Sequence, residues 1–430
     1  MGRNAHINVH HVTRVEGHGN IVLNVREGRI EELRLEIVES PRFFEAMLLG
    51  RSYEDAPGIS ARICGICSVG HTTTSLRAME SALGVTPSEQ TVKLRKICFY
   101  GEQLQSHILH VYFLVAPDLF GVGSVIPLAA THGDVVRRAL RLKRDANAIC
   151  ERLAGRHVHP VALKVMGFSR LPTEDDLRAV QAMLQEEMLP DLQATVDLFA
   201  GLKLPVFERE TEYVSLKSAK EYAFYEGDIY SSDTGPIPVR DYRGVTNEMV
   251  VAHSSAKHAK HVRESYMVGA LARFNNNHEQ LTEGAKRAAG KLGLKAPCHN
   301  PFMINVAQVV ESVHCAEEAL RLTTELLEAG LNEENGKVAV RAGRGIGACE
   351  VPRGVLFHEY AIDEHGLIED CNLVIPTSQN CRNIEQDLHA LVPQILDRSE
   401  AEITLNMEML VRAYDPCISC SAHLLDVKFV

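Results

Sequence analysis

A mainly α-helical fold with a small antiparallel β portion (α+β) is what this 430-residue sequence predicts, on three observations. Strict alternation of apolar and polar residues is concentrated near the start of the chain. Helix-start chemistry followed by apolar residues at helical spacing recurs after it. No low-complexity linker or internal repeat divides the rest, so a single continuous domain over residues 1–430 is expected, with its N-terminal β portion at about residues 6–40.

The elements follow in order. Ile21, Leu23 and Val25 alternate with polar neighbours, Glu27-Gly28 supplies a turn, and Leu33, Leu35 and Ile37 alternate again, the pattern of an antiparallel hairpin. From Thr86 the pattern changes. Thr86-Pro87-Ser88-Glu89 offers an N-cap, a proline at the first helical position and a capping-box glutamate, which predicts a long helix to about Val115. Thr173 with Asp176 marks a second start, leading into Leu177, Val180, Met183 and Leu184, and a third long helix is predicted over Asn305 to Ala329. Tyr360 to Pro376 returns to strand character around a turn at Asp363-Glu364-His365-Gly366.

Composition narrows the function. Apolar residues at 45% and charged residues at 23% are ordinary for a globular chain with a large core. The net charge of −11 gives no basic footprint and argues against nucleic acid as the main partner. No stretch approaches the ~20 apolar residues that cross a bilayer, and Met1 to His6 has no apolar signal core, so no direct membrane span and a cytoplasmic location are expected. Eleven cysteines is an odd count without the dense framework of a secreted domain, which favours a reducing compartment. Seven of them, Cys98, Cys150, Cys298, Cys315, Cys349, Cys371 and Cys381, are isolated and read as small hydrophobes.

The other four carry chemistry. Cys64-Gly65-Ile66-Cys67 and Cys417-Ile418-Ser419-Cys420 are two C-x-x-C clips, each able to present two sulfurs to one metal centre. About 350 residues separate them, far more than in a structural zinc ribbon, so the whole folded domain must assemble the site. Neither clip sits in the compact βαβ context of a thioredoxin-like dithiol. A four-thiolate iron–sulfur cluster or structural zinc remains compatible with the spacing alone.

Four stretches together resemble one family. They are Arg14-Val15-Glu16-Gly17-His18, the first clip with His71 four residues beyond Cys67, Pro352-Arg353-Gly354, and the terminal run from Asp415 to His423. In order and spacing they resemble the large subunits of nickel-iron hydrogenases, from residue 14 to 423. The resemblance implies that family's large-subunit fold and its activity, the reversible heterolytic cleavage of H2. It favours a nickel-iron centre over the cluster and zinc alternatives.

At the matching positions it implies that all four thiolates bind nickel, with Cys67 and Cys420 also bridging to an iron that carries carbon monoxide and cyanide. Soft sulfur suits such a redox centre. Arg353, Pro376 and Thr377 stand where the family surrounds the cyanide ligands, and Asp118 and Asp415 match acidic residues that crowd over the metals with this arginine. His71 matches a histidine that hydrogen-bonds a bridging sulfur. Glu16 is implied as the proton gate; taken alone, a glutamate beside Gly17 reads as a turn or helix cap. Glu45, the backbone carbonyl of Leu373 and His423 resemble a magnesium site, for which a carboxylate and a carbonyl are suited and an imidazole is an unusual guest.

A related respiratory subunit with the same fold lacks the four cysteines, so a non-catalytic quinone-binding role is disfavoured here. The run Arg412 to His423 looks most like cytoplasmic group 3 enzymes, which exchange electrons with NAD(P) or another soluble carrier. Because the chain has no nucleotide fingerprint or further cluster motif, the resemblance implies an iron–sulfur small subunit and additional electron-transfer subunits binding flavin or NAD(P). A hydrogen-sensing or structural homologue, whose site turns over slowly or holds other metals, is the alternative. Removal of the tail Leu424 to Val430 after metal insertion is also implied.

Overall fold

The computed structural model describes residues 4–334, 336 and 338–422. His423 and the tail Leu424 to Val430 therefore lie outside the described residues. The strands are β1 (Ala5–Val9), β2 (Gly19–Arg26), β3 (Arg29–Ile37), β4 (Leu163–Lys164), β5 (Gly167–Phe168), β6 (Glu212–Lys217) and β7 (Asp228–Ser231). They continue with β8 (Gly235–Ile237), β9 (Met249–Val251), β10 (Ser254–His258), β11 (Tyr266–Met267), β12 (Gly343–Val351), β13 (Gly354–Ile362) and β14 (Ile368–Val374). The helices that position the site are α1 (Ser68–Leu83), α2 (Glu89–Ile108), α3 (Gly133–Ala154), α4 (Ile304–Ala329), α5 (Pro376–Ile395), α6 (Glu400–Ala413) and the short α7 (Ile418–Ser421). Most of the structure is helical, as expected, and the sheets are predominantly antiparallel.

The N-terminal alternation forms the predicted hairpin: Ile21 pairs with Leu35 and Leu23 with Leu33, and all four are buried. β10 and β9 extend this sheet to the order β1-β2-β3-β10-β9, through a parallel β3–β10 contact supplied by residues more than 200 positions away in the chain. A second sheet runs β11-β6-β7-β8 and a third β12-β13-β14, while β4 and β5 form a separate pair.

The helix predicted from Thr86 starts two residues later. Ser88 is its N-cap, accepting from the Thr91 amide, and Pro87 lies before the cap. Beyond Ile108 it passes through a π-helical stretch, Leu109–Val115, into Ala116–Leu119. The capping box of Thr173 and Asp176 is present, and α4 covers the predicted third helix.

α1 and β12 meet backbone to backbone. A Cβ on Gly343, Gly345 or Gly347 would lie 2.2 Å from the carbonyl oxygens of Ala82, Ala78 and Thr74 respectively. Only hydrogen side chains allow that approach, and it lays the β12–β13 hairpin along the helix that begins just after Cys67. Among the described residues no helix is long and apolar enough to cross a membrane.

Candidate metal centre

The first clip is held between two helical pieces. Cys64 ends the 3₁₀ turn Ala61–Ile63 in an extended conformation, and Cys67 is the N-cap of α1. The amides of Ile66 and Cys67 donate to Cys64 Sγ at 3.2 and 3.1 Å, so the intervening backbone folds around that sulfur. In the second clip Cys417 is the N-cap of α7 and Cys420 lies within it. The Cys417 amide donates to Thr377 Oγ1 (3.0 Å) at the start of α5, where Pro376 occupies the first turn.

These local structures bring all four sulfurs within 4.8 Å of one another, buried. Cys64 and Cys417 Sγ are 3.5 Å apart and Cys417 and Cys420 Sγ 2.7 Å, and none of the four is in a disulfide. Burial pushes the Cys64 thiol up, but hydrogen bonds from Cys417, Cys420 and Cys67 outweigh it and hold Cys64 well below the ordinary thiol range. Hydrogen bonding to Cys420 and Cys64 keeps Cys417 well above that range, and burial pushes Cys420 up to about 11. One thiolate thus shares the protons of its neighbours. Such a converging soft donor set fits a thiophilic metal, whose binding releases those protons. Of the isolated cysteines, Cys98, Cys150, Cys315, Cys349 and Cys381 are buried and Cys298 and Cys371 half-buried.

Arg353 is at the tip of the β12–β13 hairpin and buried, not in a surface ion pair. Its Nε and Nη2 donate to the carbonyl and carboxylate of Asp415, each at 2.8 Å, and Nη1 to Ser106 Oγ at 2.9 Å. Burial disfavours its charge, yet attraction to Asp415 and to the sulfurs of Cys417, Cys67 and Cys64 holds the guanidinium protonated. Asp118 bridges Arg14 and Arg412, the latter at 2.8 and 3.2 Å. Two arginines on flanking elements capture it, a pairing that its position in the sequence did not announce.

Glu16 lies against the second clip and is half-buried. Its carbonyl accepts from the Ile418 amide (2.9 Å) and its Oε2 from the Ser419 amide (3.1 Å), so it reaches the open N-terminus of α7. Gly17 permits this contact: its φ is +86°, and a Cβ there would lie 2.7 Å from Ile418 Cβ and 2.9 Å from the Ser419 nitrogen. His71 Nδ1 is 3.2 Å from His358 Nε2, and His358 continues to the Tyr360 hydroxyl at 3.0 Å. Glu45 and Leu373 are adjacent, with the Leu373 amide donating to Glu45 Oε1 at 2.8 Å. Burial raises the Glu45 pKa to about 7 against that hydrogen bond.

Several positioning residues carry no sequence signal. Arg42 donates to Ile63 O (2.7 Å) in the first clip and to Ser419 O in the second, fastening one to the other. Glu102 accepts from the Val69 and Gly70 amides at 2.6 and 2.9 Å, capping α1 just beyond Cys67. Gln308 donates to Asp415 Oδ2 at 3.3 Å and pairs with His110.

Arg273 acts beneath Arg353. Fully buried, it binds both oxygens of Glu311 at 2.7 Å, Glu350 at 3.0 Å, and the carbonyls of Val351 and Pro352, each at 3.0 Å. It thereby fixes the backbone that leads into Arg353. Arg273→Met leaves two buried carboxylates without their cation, and the expected loss is about 3–5 kcal/mol. Denaturant titration of the variant checks this, and an unchanged midpoint would refute it. Burial raises the Glu311 pKa, but Arg273 and His107 outweigh it and hold it near 2, below its ordinary 4.5. Because the folded value is depressed, this stabilisation is complete above about pH 4.5 and is lost as pH falls through about 2.

Comparisons with known proteins agree with this centre. The family described as nickel-dependent hydrogenase matches residues 42–135 and 208–423. The chain is 34% identical over 414 residues to the sulfhydrogenase 2 subunit alpha of Pyrococcus furiosus, covering 96% of this chain and 98% of that protein. It is similar to a solved NAD+-reducing NiFe-hydrogenase in the H2-reduced state, with a TM-score of 0.87 and 29% identity over 97% of this chain and 99% of that one. It shares its fold with the NiFeSe hydrogenase of Desulfovibrio vulgaris Hildenborough, with a TM-score of 0.78 at 22% identity over 98% and 100% of the two chains.

Proposed function

The chain belongs to the nickel-dependent hydrogenase family, and from that premise we propose that it is the catalytic large subunit of a cytoplasmic group 3 enzyme that passes electrons from H2 to NAD(P) or another soluble carrier. It is a nickel-iron hydrogenase, an oxidoreductase acting on H2, whose electrons go to a partner subunit. The finer reading adds an iron–sulfur small subunit and further subunits binding flavin or NAD(P). It also adds carbon monoxide and cyanide on the iron and a magnesium ion at Glu45, Leu373 and His423.

One observation carries the proposal: four buried, disulfide-free sulfurs from opposite ends of the chain converge within 4.8 Å. Bound there, a nickel-iron pair supplies the redox capacity and Lewis acidity for cleaving H2. The protein's own residues do the rest. Cys64, Cys67, Cys417 and Cys420 hold the metals, and their lone pairs accept the proton released. Arg353 places a fixed positive charge over the centre, steadied by Asp415 and by Ser106. Pro376 and Thr377 open α5 beside the second clip, with Thr377 tethered to the Cys417 amide. Glu16, anchored on α7, receives the proton from Cys417 and carries it outward.

The test is elemental analysis and infrared spectroscopy on anaerobically purified complex. One nickel and one iron at this centre, sharp bands of metal-bound carbonyl and cyanide, and rapid hydrogen-dependent dye reduction are expected. Zinc or an iron–sulfur spectrum from this chain, without those bands, would overturn the reading. Pyridine-nucleotide reduction by the whole complex tests the acceptor separately.

A further inference from the structure

Away from the thiolate centre, β10 and α5 bring a second set of metal-ligating side chains together. His253 sits in the turn between β9 and β10, His258 closes β10, and Glu385 projects from α5 two turns beyond Thr377. One ligand atom from each lies within 4.8 Å of the others. His253 Nε2 donates to Glu385 Oε1 at 2.8 Å, and the two imidazole rings meet edge to face, 5.5 Å between centroids.

His258 is the anomaly. It is 1% exposed, yet neither ring nitrogen makes a hydrogen bond to any of the described residues. Buried imidazole nitrogens ordinarily find partners, because losing water without a replacement is costly. Its Nδ1 is 3.9 Å from Glu385 Oε2, too far for a hydrogen bond. Two ligands around a tetrahedral cation with bonds of about 2.1 Å lie about 3.4 Å apart, so the pair needs to close by only about half an ångström to share one ion. Glu385 Oε1 is already occupied by His253 and by the Leu35 amide at 3.0 Å, which leaves Oε2 facing His258. The nearby cation Arg382 is engaged by Glu264 at 2.6 Å. His253 is about a quarter exposed, on a surface groove lined also by Glu36 and Glu39, so an ion has a route in.

We propose that His253, His258 and Glu385 form a second metal site, for a borderline divalent cation of the zinc(II) or iron(II) class, which ties α5 to the N-terminal sheet. Two neutral imidazoles and one carboxylate are the donors such ions take; the tautomer with the His253 proton on Nδ1 frees its Nε2 for the ion, and solvent at the groove completes the shell. The site's role is structural. Glu385 already receives the Leu35 amide of β3, and β10 reaches β3 where Ser255 Oγ donates to Ile37 O at 3.1 Å. A cation clamps these strands to α5, whose first turn carries Thr377 against Cys417.

Zinc is the probe. Purified complex with its nickel and iron in place is equilibrated with Zn2+, dialysed and compared with H253A and E385Q; the glutamine can still accept from the Leu35 amide. The wild type should retain one zinc per chain, with two imidazoles and no sulfur in its X-ray absorption fine structure, and its melting temperature should rise with zinc. Both variants should lose the retained zinc and the thermal shift while remaining folded by circular dichroism. No zinc above the variants' level, equal retention in wild type and variants, or sulfur in the zinc shell would each overturn the proposal.

Discussion

Replacing Cys420 with serine is expected to bring the nickel content of the large subunit to background and to abolish hydrogen-dependent dye reduction. The sulfur of Cys420 is buried, 2.7 Å from Cys417 Sγ, and its thiol reaches back to Ile63 O at 3.7 Å in the first clip. A serine hydroxyl keeps a polar atom there but is a hard donor that stays protonated near neutrality, so it would not hold a thiophilic centre as a thiolate would. The helix around it should survive, because the Ile418 and Ser419 amides are held by Glu16 and not by Cys420. Metal analysis together with circular dichroism separates loss of the centre from loss of the fold. Near-normal nickel with near-normal hydrogen uptake in Cys420→Ser would sink the assignment of Cys420 as a metal ligand.

The sequence exposes the parts of this site whose signal is local. Two C-x-x-C clips are legible because both sulfurs of each pair lie within one turn of backbone. The hairpin of β2 and β3 is legible because eight or nine residues show the period of two. By contrast β7 to β11 run two to five residues each, too short for a period to emerge, and the parallel contact of β10 with β3 is decided by tertiary packing. The start of α2 was displaced by two residues because Thr86 and Ser88 both offer cap chemistry, and the backbone selected the one after the proline. The ion pairs of Asp118 are hidden for another reason. Which arginine a carboxylate meets depends on elements distant in sequence, here Arg14 and Arg412. The same long-range logic hid Arg42, Glu102 and Arg273, whose partners lie 21 to 377 residues away.

Glu16→Gln is expected to leave the metal centre assembled and to lower hydrogen oxidation and exchange of deuterium gas with solvent protons by about 10²–10⁴-fold, the usual contribution of a positioned acid–base group. Glutamine keeps the carbonyl oxygen that can accept from the Ser419 amide, so the N-terminus of α7 and the position of Cys417 are preserved. What it removes is the ability to take up and release a proton. Four measurements divide the outcomes. Nickel content and the infrared bands report the centre, solvent exchange reports proton exit, and conversion of para- to ortho-hydrogen reports cleavage and recombination without exit. Retained metals and retained conversion with collapsed exchange place the lesion in proton transfer at Glu16. Exchange at wild-type rates in the same protein would show that another group carries the proton, and that Glu16 serves only to cap the helix bearing Cys420.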